Sequence, residues 1–293
     1  PGGVGGEPYP IEYRVDGDDS DTGGIFALAG VRAGETVEVC PLLRITEPAR
    51  RLSEVLGRYA ISMPADGDKE RTALPLGFAR LYAKSTAANC RWDFRGDQEI
   101  VIWAYCDVFI GQELFLELDG PPVAPPQLVH HDSIGHTDGK AEVQKLSQLY
   151  TSGKLTNCGY VTHGESSAHG RGVFAQRDFQ AGDLIESCPA VLLDEVGAKA
   201  LVSYRWAVAD KTSFNSRPQF FLPLGLGAMY NHFEPPHVRG RLDTKRHVLE
   251  IIADREIQKG QEVFVTYGDD YFDDDFASLG HSRAGIVAPE LPS

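Results

Sequence analysis

Three segments of the second half carry most of the residues able to do chemistry. In chain order they are His169-Gly170-Arg171-Gly172-Val173-Phe174-Ala175, then Leu222-Pro223-Leu224-Gly225-Leu226-Gly227-Ala228-Met229-Tyr230-Asn231-His232, then Ile257-Gln258-Lys259-Gly260-Gln261-Glu262-Val263-Phe264-Val265-Thr266-Tyr267-Gly268. A Gly-x-Gly pair alone marks only a tight turn. The imidazoles of His232, His237 and His247 suit several transition metals, but no carboxylate or cysteine shares a recognisable ligand spacing with them, so no metal site is expected. Cys40, Cys90, Cys106, Cys158 and Cys188 lie far apart with no Cys-x-x-Cys pair, and their odd number speaks against a full disulfide framework and for a reducing compartment. The run Asp269, Asp270, Asp273, Asp274 and Asp275 either steers a basic peptide or is a solvated loop. Asp16, Asp18, Asp19 and Asp21 read as a plain surface turn.

The charge balance points to the same kind of partner. A formal charge of −14 on 293 residues works against nonspecific binding to nucleic acid, which rests on Lys and Arg displacing counterions from phosphate. A basic protein or peptide fits better. With 42% apolar and 24% charged residues the chain reads as an ordinary globular protein, long enough for one large domain or two. No apolar run approaches the roughly 20 residues that a membrane span needs. The chain opens Pro1-Gly2-Gly3 without an initiating Met, so a removed targeting segment would not be visible, and the expected location is intracellular, in cytoplasm or nucleus.

The elements that must position these residues are written twice. Gly24-Ile25-Phe26-Ala27 recurs as Gly172-Val173-Phe174-Ala175, an offset of 148, and 8 of 18 positions are identical between Gly24–Pro41 and Gly172–Pro189. Glu38 matches Glu186, and Cys40-Pro41 matches Cys188-Pro189, a pattern of buried strand ends rather than reactive thiols. At the same offset Leu74-Pro75-Leu76-Gly77 matches Leu222-Pro223-Leu224-Gly225, and with one residue inserted Gly111-Gln112-Glu113 matches Gly260-Gln261-Glu262. Short β-branched and aromatic runs such as Val248–Ala253 and Val263–Tyr267, bounded by Asp and Gly, predict a mainly β, β-rich α+β protein with few helices. Leu52, Val55, Leu56 and Tyr59 recur at helical spacing, and a second short helix is expected over Ala141–Ser152. The Pro121–Pro126 stretch is a stiff breaker. The expected layout is a first module over 9–120, a linker and short helix over 121–154, a second module over 155–276 and a tail over 277–293.

In order, content and spacing, the three segments of the second half resemble the SET-domain protein lysine methyltransferases. The resemblance implies two tandem SET-like modules of short β-sheets, each with a knot-like C-terminal segment in which the Asn-His strand lies beside the Tyr-bearing one. It implies S-adenosylmethionine as cofactor, with Gly170, Arg171 and Gly172 offering backbone groups to its methionine end. Asn231 would hold the cofactor by hydrogen bonds and His232 would give main-chain contacts to the adenine. Tyr267 would be the catalytic tyrosine, and Tyr204 or Trp206 would fill a second aromatic position of the lysine channel or else pack in the core. Of Lys154, Arg171 and Arg205, Arg171 has the best position to meet the cofactor carboxylate. Tyr271, Phe272 and Phe276 would close the channel.

The first copy departs from this pattern. Ala83-Lys84 stands in place of Asn231-His232, Leu118 in place of Tyr267, and Asp21-Thr22-Gly23-Gly24 in place of His-Gly-Arg-Gly. It is expected to be a degenerate SET fold that packs on the second copy as a pseudo-dimer, with a further homo-oligomer not excluded. In the second copy Phe233 stands where relatives carry a small polar residue, and His237 where they carry asparagine. The expected activity is methyl transfer to a protein lysine, the rivals being a non-catalytic binding protein and a pocket redirected to a small molecule.

Overall fold

The computed structural model describes residues 11–15, 23–45, 54–66, 69–118, 160–208 and 219–268. Half of it is strand and 8% helix, a mainly β fold as expected. The first half supplies β1 (Ile11–Val15), β2 (Gly23–Ala27), β3 (Thr36–Ile45), α1 (Glu54–Tyr59), β4 (Ile61–Asp66), β5 (Lys69–Pro75), β6 (Cys90–Arg95), β7 (Glu99–Ala104) and β8 (Glu113–Leu114). The second supplies β9 (Val161–Glu165), β10 (Arg171–Ala175), β11 (Leu184–Leu192), α2 (Glu195–Ala200), β12 (Trp206–Val208), β13 (Gln219–Pro223), β14 (Asn231–His232), β15 (Val238–Asp243), β16 (Val248–Ala253) and β17 (Phe264–Val265). The stretch expected to be helical at Leu52–Tyr59 becomes α1, with Leu56 fully buried, while Leu52 lies outside the described residues. The linker, the helix expected over 141–152, the acidic runs, Lys154, Tyr271, Phe272 and Phe276 lie outside them as well.

Strand order in the larger sheets is β4-β5-β3-β7-β6 in the first half and β12-β13-β11-β16-β15-β17-β14 in the second. In each, one long strand is central: β3 pairs with β5 and β7, and β11 with β13 and β16. Each of these strands has a bulge, between Thr36 and Glu38 in β3 and between Leu184 and Glu186 in β11. A bulge shifts the alternation of side chains locally. Both strands are covered on both faces: Val37 and Glu38 are buried, as are Ile185, Glu186, Ser187 and Cys188 in succession.

Those carboxylates fasten the core to the following loops. Glu186 Oε1 accepts from Leu226 N–H at 2.7 Å and Oε2 from the Tyr230 hydroxyl at 3.0 Å. Glu38 accepts from Phe78 N–H at 2.7 Å and from the Tyr82 hydroxyl at 3.1 Å. Cys40 and Cys188 are fully buried beside them, as the sequence suggests, and burial pushes both thiols up well beyond the ordinary range.

The halves share a third apolar cluster, built from Leu43, Leu56, Leu74 and Leu76 on one side and Leu193, Leu201, Leu222 and Leu224 on the other. Each buried leucine is worth roughly 1.5–3 kcal/mol against exposure, so this joint weighs heavily in the stability of the chain. At its edge Gly77 N–H donates to Gly225 O at 2.8 Å and Gly225 N–H to Gly77 O at 3.1 Å.

Burial pushes the carboxyls of Glu38 and Glu186 up to about 7 from 4.5, against the pull of their donors. Unfolded, these groups release protons near pH 4.5, so the stability they contribute is complete below that value and is lost as the pH rises through about 7. His163 acts oppositely: burial, and then the Arg171 charge, push it down to about 4, so stability is lost as the pH falls below 6.5. Thermal melts between about pH 5 and about pH 8 should therefore show the two glutamates outweighing the histidine, with Tm declining toward the alkaline end. Glu186→Gln should lower Tm throughout but flatten the decline; an unchanged slope would assign the dependence to other groups.

Candidate active site

The β9–β10 hairpin carries the Gly-x-Gly turn. Arg171 pairs with Glu165 and Gly172 with Gly164. The turn closes where Gly170, at φ +53°, accepts Ser166 N–H on its carbonyl at 2.9 Å. That is left-handed backbone, and a Cβ there would meet nothing within 4 Å, so only the torsion favours glycine. Gly172 is constrained differently. A Cβ on it would sit 2.0 Å from Glu262 Oε1 and 3.0 Å from Asn231 Nδ2, because both side chains lie directly against its backbone.

Asn231 reaches this place from β14, which runs parallel to β17 with Asn231 opposite Phe264 and His232 opposite Val265. Its Nδ2 donates to His169 O at 3.0 Å, to Arg171 O at 3.1 Å and to Glu262 Oε1 at 3.0 Å. All three neighbours are acceptors, which fixes the orientation of the carboxamide. Among the described residues the hydrogen bonds of this side chain all run through Nδ2, so Oδ1 retains its acceptor capacity. Glu262 is itself held, since its Oε2 accepts from Ser166 Oγ at 2.9 Å, and that oxygen accepts from Ala168 N–H at 3.0 Å and His169 N–H at 3.2 Å.

Tyr267 follows β17 and is tied on both sides of Asn231. Its N–H donates to His232 Nδ1 at 3.1 Å, the two rings lie 5.3 Å apart, and its hydroxyl donates to Tyr230 O at 2.8 Å. With its proton committed to a carbonyl, the hydroxyl oxygen faces any further group as an acceptor. The structure thus brings Gly170, the Arg171 carbonyl, Gly172, Asn231, His232 and Tyr267 together around one polar cluster.

The remaining candidates make other contacts. Trp206 is half-buried against the core of the second half, as Tyr267 is: its Nε1 donates to Gly227 O at 3.0 Å, and its ring fills the space a Cβ on Gly240 would need. Tyr204 stands 37% exposed beyond α2, its N–H bonded to Leu201 O at 2.9 Å. Arg205 donates to Ala198 O at 2.5 Å and lies over the Phe220 ring, against α2. The Arg171 guanidinium turns away to Glu99 of the first half. Phe233 and His237 both pack on Phe264, at 5.3 and 5.4 Å between ring centroids, and His237 Nδ1 meets Glu262 O at 3.0 Å. Burial, and then the Arg255 charge, push the His237 pKa down. His247 lies against Phe221, so the three histidines occupy separate surroundings. Among the described residues no group of three or more His, Cys, Asp or Glu is arranged to hold a metal ion.

Sequence reasoning did not single out Glu262, Ser166 or Glu99. Glu262 had a signal, since Gly260-Gln261-Glu262 matches Gly111-Gln112-Glu113, and Glu113 likewise lies 2.3 Å from where a Cβ on Gly24 would be. Ser166 and Glu99 had none.

Residues 170–268 match the SET domain model, a span that opens on Gly170 and closes on Gly268. Over 114 residues, 39% of this chain and 77% of the relative, the chain is 30% identical to a histone-lysine N-methyltransferase, H3 lysine-37 specific, of Schizosaccharomyces pombe. The chain belongs to the SET-domain family. Among solved structures, a Plasmodium falciparum protein described provisionally as a histone methyltransferase is 30% identical, with 37% of this chain and 93% of that one covered and a TM-score of 0.32. An active polycomb repressive complex 2 in its stimulated state is 16% identical, with 47% and 19% covered and a TM-score of 0.36. As a SET-domain protein the chain places its family motifs on β10, β14 and β17 of the second half.

The crowding at Gly172 gives a direct check. Gly172→Ala should cost about 3 kcal/mol in urea unfolding through overpacking against Glu262. Gly170→Ala, where only backbone torsion is strained, should cost about 1 kcal/mol. Equal costs would show that the Glu262 contact is not the constraint.

Proposed function

We propose that the second half transfers a methyl group from S-adenosylmethionine to the side chain of a protein lysine. The observation that carries this reading is the pairing of a fixed Asn231 acceptor with a Tyr267 hydroxyl whose proton is already committed. The residues fit the cofactor chemically: Oδ1 of Asn231 suits an ammonium group, and the open Gly170 turn leaves backbone accessible. Gly170, Arg171, Gly172, Asn231 and His232 would hold it. When bound, it supplies an activated methyl on a sulfonium.

The chain's own residues then have three tasks. A lysine amine has an ordinary pKa near 10.4 and is not nucleophilic while protonated, so a desolvated channel must favour its neutral form. Tyr267, able only to accept, takes one N–H of that amine and orients its lone pair. Asn231 and the hairpin fix the other reactant, so that catalysis is mostly positioning and exclusion of water. The relative from Schizosaccharomyces pombe is named for a histone lysine, and the −14 charge of this chain suits a basic protein of that kind, inside the cell. Catalysis is favoured over a purely binding role because Phe233 and His237 pack on Phe264 and leave the Asn231 cluster intact.

The layout of 9–120, 121–154, 155–276 and 277–293 belongs to the same proposal, with the first module a degenerate copy that acts as an internal pseudo-dimer partner. Three features support it. The bulge recurs at the equivalent place, the Glu38-Tyr82 bond matches Glu186-Tyr230, and Gly77 meets its own counterpart Gly225 reciprocally, as residues on a two-fold axis do. Ala83 pairs with Phe115 as Asn231 pairs with Phe264, and Leu118 is buried, so the strand arrangement is kept without the polar groups.

Calorimetric titration of S-adenosylmethionine into the protein should show binding that Asn231→Ala abolishes. Tyr267→Phe should keep that binding but lower kcat on basic peptides on the order of a hundredfold. Absence of binding to folded protein would favour the non-catalytic reading, and binding without any protein or peptide acceptor a small-molecule one.

A further inference from the structure

Between Gly170 and Gly172 the Arg171 side chain is the one handle on the middle of the turn, and it points into the first half. Its Nη2 pairs with Glu99 Oε1 and its Nη1 donates to Gln98 O at 3.2 Å. His163, from the partner strand β9, sits beneath with its Nδ1 2.5 Å from Arg171 Nη2 and 3.5 Å from Glu99 Oε1. Its Nε2 lies 3.4 Å from Val39 O of β3. A neutral imidazole accepting at Nδ1 and donating at Nε2 satisfies both contacts, and burial with the Arg171 charge favours the neutral form. The other carboxylate oxygen of Glu99 accepts from Arg95 Nε at 2.7 Å. The side chains of Glu99, His163 and Arg171 are 16%, 7% and 23% exposed, enough shielding to raise the ion pair above an ordinary surface contact.

The hairpin β9–β10 forms a two-stranded sheet of its own. Such a pair is marginal without support. Its far end is held by the second half, where Val263 N–H donates to Val173 O at 2.7 Å and Ala175 N–H to Gln261 O at 2.9 Å, and at the turn end Glu99, Gln98 and Val39 of the first half add their contacts. The Arg171 residue that they hold by its side chain offers its carbonyl to Asn231 Nδ2. In its own sheet Glu99 pairs across strands with Arg95 through one carboxylate oxygen, and the other oxygen faces Arg171. Glu99 stands opposite Pro41, whereas Val248 stands opposite the matching Pro189.

We propose that the first half is a positioning element for the cofactor-binding turn of the second, acting through Glu99 on Arg171. The inference rests on the proposed cofactor site and predicts that the first half tunes cofactor affinity rather than the chemical step. Glu99→Gln in the full chain should speed amide hydrogen exchange over residues 166–172. It should weaken S-adenosylmethionine about tenfold, the equivalent of 1.4 kcal/mol, and leave kcat at saturating cofactor within about twofold. Arg171→Gln and the double variant should lose no more than Glu99→Gln, because the pair acts as a unit. Arg241→Ala, which breaks the Arg241–Glu250 pair between β15 and β16, serves as control.

Unchanged exchange in Glu99→Gln, or additive losses in the double variant, would overturn the proposal. If Glu99→Gln does not fold, Arg171→Lys reads the same contact, since it keeps the charge but loses the fork, and it should speed exchange likewise. Wild-type protein that binds no S-adenosylmethionine would sink the cofactor reading alone, while the exchange comparison still decides whether Glu99 holds the turn.

Discussion

Three acceptors around one amide nitrogen organise this molecule's site. Asn231 Nδ2 faces His169 O, Arg171 O and Glu262 Oε1, so one carboxamide ties together a hairpin turn, a short parallel strand and the loop that leads into β17. An unsatisfied buried donor or acceptor is expensive, so each of the three segments is held in register by the other two. Gly172 must be small because Glu262 and Asn231 press on it, and Tyr267 falls beside the cluster because Tyr230 and His232 flank Asn231.

A second polar device lies in the core of each half. Glu38 and Glu186 are buried carboxyls beside the bulges of β3 and β11, and each gathers a backbone N–H and a tyrosine hydroxyl from the loop that follows the neighbouring strand. Burial keeps both protonated to about pH 7, which limits the cost of hiding them. Their role is geometric: the loop that Glu186 fixes leads directly into Asn231.

The joint between the halves makes the first half more than an appendage. Its leucines complete a core shared with Leu193, Leu201, Leu222 and Leu224, and its edge presents Glu99 to the one charged side chain in the Gly-x-Gly turn. The use of the first half seen here is architectural, resting on packing and on edge contacts.

The sequence by itself determined the mainly β class, the short amphipathic helix at α1, the buried Cys40 and Cys188, and the segments that bear Gly172, Asn231, His232 and Tyr267. All of these rest on local pattern or on the order of short motifs, which survive in one dimension. Only the tertiary structure decided that Trp206 packs against the core, that Phe233 and His237 close on Phe264, and that Arg171 spends its guanidinium on Glu99 rather than standing ready for a ligand. Glu262 and Ser166 lie 96 positions apart and Arg171 and Glu99 lie 72 apart. Contacts over such separations exist only after sheets and halves have docked, and nothing in the local chemistry of a glutamate on a strand announces which partner the fold will bring to it.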